Sequence, residues 1–94
     1  MNDTIQLVGA LSNDLFRVAT LAQRGSKNSA IRFLQEAQRW SDSLQQHNLP
    51  KYIDQIVTDI ANREPTDISI ESAERYLMYG VQLQNFALQS LKNN

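Results

Sequence analysis

SIESAERYLMYGVQLQNFALQSL, residues 69–91, is the stretch whose reading decides the fold. At about 100° per residue, its apolar side chains fall on two lines of a helix instead of one. Ile70, Ala73, Leu77, Val81, Leu88 and Leu91 make the first line, which is expected to face a core. Tyr76, Tyr79, Leu83 and Phe86 make the second, at steps of three, four and three residues, as in a coiled-coil seam. The two lines lie about 140° apart around the helix. Gly80 falls between them, where it costs about 1 kcal/mol relative to Ala, and close approach of another helix is one reason to keep it.

Working back along the chain, Pro65 ends the preceding segment, and Asp67 or Ser69 can cap the long helix. With Ser69 as the cap, Ile68 and Ala73 take the two positions of a hydrophobic staple, and Glu71 and Glu74 lie at the positive end of the helix dipole. A short helix is expected over about 50–63, with Pro50 in its first turn and Ile53, Ile56, Val57 and Ile60 on one face. A second helix, over about 29–46, carries Ala30, Phe33, Leu34, Ala37, Trp40 and Leu44 at helical spacing. The first runs over about 4–24, capped by Asp3 or Thr4 and stopped by Gly25. Its apolar arc is wide, from Leu21 round to Phe16.

Short connections favour antiparallel neighbours, and alternating β-branched runs are missing, so the chain reads as all-α: a single four-helix up-down-up-down bundle with short loops, one domain over residues 1–94. A three-plus-one arrangement, with the last helix docked on a partner, is the second topology.

Composition bounds the function. With 94 residues, 41% hydrophobic and 20% charged, the chain has the make-up of one small globular domain. A net charge of −1 argues against a general electrostatic grip on DNA or RNA. The absence of Cys removes thiolate catalysis and Cys-based zinc sites, and fits a reducing cytoplasm. The start, Met1-Asn2-Asp3-Thr4, does not read as a signal peptide, and no apolar run reaches the length of a membrane span.

Charge is unevenly spread. Arg17, Arg24, Lys27 and Arg32 stand in a segment free of acids, 15–35, whereas 54–74 holds six acids around Arg63. In an up-down-up-down bundle the basic first connection neighbours the acidic third one, and the simplest expectation is mutual pairing. The functional alternative is an anion site built from Arg17, Arg24, Lys27 and Arg32 with the free amides opening the second helix.

No catalytic motif emerges. The one histidine, His47, sits near a helix end where a cation suits the dipole. Glu71 and Glu74 have metal-ligand spacing but lie on a polar arc, and three scattered glycines cannot build a phosphate cradle. No cofactor is expected.

The doubled apolar line with no catalytic groups reads as a non-enzymatic helical interaction module, an adaptor, regulatory or assembly subunit. Its expected partner is itself, as a homodimer, or another helical protein, through Phe16, Tyr76, Tyr79, Leu83 and Phe86. The alternatives are a regulator binding nucleic acid or an anionic ligand at the basic connection, and a small-ligand or metal-dependent enzyme.

Overall fold

The computed structural model describes residues 2–92 and shows four helices: α1 (Asn2–Gln23), α2 (Lys27–Leu44), α3 (Lys51–Ala61) and α4 (Ile70–Lys92). Among the described residues there is no strand. The helices pack as the up-down-up-down bundle the sequence implies.

The punctuation residues act locally. Gly25 takes φ +84°, a left-handed conformation a side chain would resist. Its N–H donates to Ala22 O at 3.1 Å and that of Ser26 to Leu21 O at 2.9 Å, the paired bonds of a Schellman stop. Pro50 precedes the first turn of α3, where no amide is needed. At α4, the Ser69 hydroxyl accepts the Ser72 N–H at 3.2 Å, so Ser69 is the cap. The expected caps of α1 are corrected: the helix already includes Asn2, so Asp3 and Thr4 lie inside its first turn. The Thr4 hydroxyl instead shares a 2.6 Å hydrogen bond with His47 Nδ1.

α1 is the central helix. It packs along both α2 and α4, α2 carries α3, and the backbones of α3 and α4 barely approach one another. The core is formed by Val8, Leu11, Leu15 and Val18 of α1, Leu34, Ala37 and Leu44 of α2, and Ile53, Ile56, Val57 and Ile60 of α3. These lines agree with the periodicity of the first three helices.

The fourth helix reverses its expected orientation. Tyr76 and Leu83 are fully buried, with Ala73, Gly80 and Ala87 on the same face. The line expected to be core, Ile70, Leu77, Val81, Leu88 and Leu91, is 42–70% exposed, and only its Ala73 is buried. Small residues explain the choice. Ala73, Gly80 and Ala87 recur every seven residues and let α1 lie close, with larger side chains interleaved between them. Phe16 of α1 lies directly over Gly80, and Ser12 Oγ donates to Gly80 O at 2.8 Å. The close approach suggested by that glycine is therefore made within the chain.

Candidate functional site

The side chains expected at an interface are engaged internally. Phe16 covers Gly80. The Tyr76 hydroxyl donates to Asp67 O at 2.6 Å, and that of Tyr79 donates to Asp59 Oδ2. Phe86 packs edge-on against Tyr52, ring centroids 6.5 Å apart. Leu83 is in the core. Phe16, Tyr76, Tyr79, Leu83 and Phe86 thus hold α1, α3 and α4 together, and the interface placed on them is corrected.

The reason is the gap between α3 and α4, which long side chains must bridge. Arg63, leaving α3, grips Asp59 with two bonds of 2.9 and 3.1 Å and gives Nη1 to Asp67 Oδ2 at 2.8 Å and Ser72 Oγ at 3.0 Å. Its guanidinium carbon lies 5.4 Å from the Tyr76 ring centroid. Bonding to Asp59 first, then to Asp67, holds the Arg63 proton more firmly than usual, against the opposing effect of burial. Burial pushes both carboxyls up, but hydrogen bonds outweigh it and hold them below their ordinary range: from Arg63 and Tyr79 at Asp59, from Ser72 and Arg63 at Asp67. Burial pushes the Tyr76 hydroxyl up to about 12, so it remains a neutral donor. This cluster is a structural clasp whose groups are committed to one another.

The clasp also settles the charge distribution. Asp67 is taken by Arg63 from its own side of the bundle. Among the described residues no ion pair joins the acidic third connection to the basic first one. Arg17, Arg24, Lys27 and Arg32 are all exposed. Arg17 lies 5.2 Å from the Phe33 ring centroid, and with Arg24, Phe16, Thr20 and Leu21 it lines an open hollow of about 350 Å³. Arg32 lies on the other side of Phe33, in a groove shared with Glu36 and Arg39. Lys27 lines neither. Three of the four cations therefore flank one aromatic ring, but acids are interspersed among them.

One of those acids was not foreseen. Asp14 is 4% exposed, and its Oδ2 accepts the Trp40 indole N–H at 2.8 Å. Burial first, then a hydrogen bond with the Glu36 carboxyl, pushes Asp14 up to about 6, with the Trp40 bond and Arg17 opposing. A signal was present: Asp14 stands seven residues from both Leu7 and Leu21, on an apolar flank of α1, and a half-buried indole needs an acceptor.

His47 sits half-buried in a recess with Asp3, Gln6, Leu7, Ala10 and Trp40, where Asp3 is the one carboxylate among the described lining residues. Among the described residues no group of three or more His, Asp or Glu could hold a metal ion, and no helix is long and apolar enough to cross a membrane.

Among the described residues, most of the exposed large apolar side chains lie on the outer side of α4. Ile70, Leu77, Met78, Val81, Leu88 and Leu91 lie along about 32 Å of helix. The same helix meets α1 at Gly80 and α3 at Tyr79 and Phe86, so by helical geometry this line lies on the α1 side, away from α3. Comparison with protein-family models, with curated proteins and with solved structures finds no match to this chain.

Proposed function

We propose that the protein is a non-enzymatic helical interaction module that works by self-association, with the outer face of α4 as its docking surface. The observation that carries this reading is the uncovered line Ile70, Leu77, Val81, Leu88 and Leu91, flanked by Met78. Exposed large apolar side chains lined up along one helix face, here interrupted by Glu74 and Gln84, are a mark of association sites. Its position supports the reading further. A helix already rigidly packed on α1 presents the line without having to order itself on binding, which lowers the entropic penalty of association. The titratable groups with altered proton affinity are each tied into a structural contact: Asp59, Asp67, Tyr76 and Tyr79 in the α3–α4 clasp, Asp14 at Trp40.

The test is molar mass in solution, by light scattering across a concentration series, for wild type and Val81→Arg. Val81 is 44% exposed, so the arginine reaches water in a single copy and the fold is retained. A wild-type dimer that becomes a helical monomer on substitution supports the reading. A wild type that stays monomeric at every concentration overturns it.

A further inference from the structure

The outer line of α4 contains more than apolar side chains. Ile70, Glu74, Leu77, Val81, Gln84, Leu88 and Leu91 follow one another at steps of four, three, four, three, four and three, and every one is exposed. This is an unbroken heptad seam across three heptads, and none of the described residues covers it. It also has an internal order. From Ile70 to Leu88 it reads apolar, polar, apolar, apolar, polar, apolar, which is the same in both directions.

We infer that the occupant of this seam is the α4 helix of a second copy of the chain, running antiparallel about a two-fold axis midway between Leu77 and Val81. This rests on the self-association reading above and specifies its geometry. In that register Ile70 meets Leu88 of the second copy, Leu77 meets Val81, and Glu74 meets Gln84. The two-fold axis repeats each pair. Four apolar layers are flush, and the two polar residues of each helix face each other, so the carboxylate of Glu74 can accept from the amide of Gln84. The seam carries no second charge.

The other arrangements are worse for stated reasons. Sliding the antiparallel pair by one heptad sets Glu74 against Leu77 or against Leu91 of the second copy, burying a carboxylate against a hydrocarbon. Sliding in the second direction also sets Val81 against Gln84. A parallel, in-register pair stacks Glu74 on Glu74, where like charges repel. Polar layers that are satisfied in one register only are the device by which helical pairs select register and orientation. The small-residue face of α4 that holds α1 lies next to the seam rather than across it, so pairing leaves the bundle unchanged.

Disulfide trapping tests the register, and the chain lacks cysteine, so each introduced thiol is unique. Ile70→Cys and Leu88→Cys are made separately, as are Leu77→Cys and Val81→Cys, and each is checked for wild-type helicity. Under mild oxidation, mixing Ile70→Cys with Leu88→Cys, or Leu77→Cys with Val81→Cys, is expected to give a cross-linked dimer far in excess of either Ile70→Cys or Leu88→Cys alone. The two copies of residue 70 would lie about 27 Å apart along the axis, well beyond disulfide reach. Gln84→Glu, which sets two carboxylates face to face in each layer, is expected to weaken dimerisation several-fold. Gln84→Lys is expected to tighten it at low salt. Efficient self-linking of Ile70→Cys in a protein of dimeric mass would overturn the register and leave the self-association reading standing, as would a dimer that neither mixture links. Monomeric mass throughout removes both.

Discussion

Gly80→Ala is the sharpest probe of how α4 is seated. A methyl group on Gly80 would lie 3.0, 3.1 and 3.2 Å from Cε1, Cδ1 and Cζ of Phe16. Carbon pairs are at their best separation near 3.5–4.0 Å, so three ring atoms sit roughly half an ångström too close. Two effects oppose each other. Alanine is better than glycine inside a helix by about 1 kcal/mol. Overpacking against a held aromatic ring costs about 1–3 kcal/mol. The ring is half-buried and can tilt, which places its cost in the middle of that range, so the net expectation is destabilisation by about 1 kcal/mol. For a domain this size that corresponds to a fall in Tm of about 4–8 °C. Gly9, in α1, provides the control, because nothing lies within 4 Å of its added Cβ. Gly9→Ala is therefore expected to stabilise, by about 0.5–1 kcal/mol. Adding Phe16→Leu to Gly80→Ala relieves the clash and is expected to recover stability relative to the sum of the single changes. The assay is urea unfolding followed by far-UV circular dichroism at one fixed protein concentration, since association shifts apparent stability. A Gly80→Ala variant as stable as Gly9→Ala, or a cycle with Phe16→Leu that is additive to within about 0.3 kcal/mol, would refute the close α1–α4 packing.

Two further outcomes follow from the buried charges. Asp14 has a higher proton affinity folded than unfolded, so it favours the native state at low pH, and that contribution disappears as pH rises from about 3.8 to about 6. Asp59 and Asp67 have lowered proton affinity and act oppositely, with their contribution lost on acidification. Wild-type Tm is thus expected to peak on the acid side of neutrality, and Asp14→Asn to abolish the decline above the peak while leaving the acid limb. An unchanged decline in that variant would assign it elsewhere. Arg63→Ala leaves Asp59 and Asp67 partly buried without their counter-ion, and is expected to cost about 1–3 kcal/mol, scaled down from a fully buried pair because both carboxylates are near one-third exposed. Arg63→Lys should recover little of this, because an ammonium cannot reproduce the two-pronged bond to Asp59. Full recovery of Tm by lysine would show that charge alone suffices.

The helix count, the stop at Gly25, the Ser69 cap and the inward faces of the first three helices were legible, because each follows from local chemistry or a single apolar line. The orientation of α4 was not. Hydropathy favours the line of Ile, Leu and Val, whereas the packed face is Ala73, Tyr76, Gly80, Leu83 and Ala87. What selects that face lies outside α4: the Phe16 ring that packs closely over Gly80, and the acceptors at Asp59 and Asp67 that satisfy the two tyrosines. The consequence for the candidate site is a rotation of about two-fifths of a turn. The line left exposed on α4 is the one whose hydropathy points to the core.

Pairing of α1 with α4 also bears on how the chain reaches its fold. The Ser12–Gly80 bond spans 68 residues, whereas the Asp14–Trp40 bond spans 26. Closing the longer loop costs about 0.9 kcal/mol more in chain entropy, so an α1–α2 hairpin is the cheaper nucleus and α4 docks afterwards. Leu83→Ala should then accelerate unfolding with little effect on folding, whereas Leu34→Ala should slow folding; equal slowing by both would discard this order. Until α4 docks, its small-residue face and its outer seam are bare together, and the nascent chain exposes both at once to its neighbours.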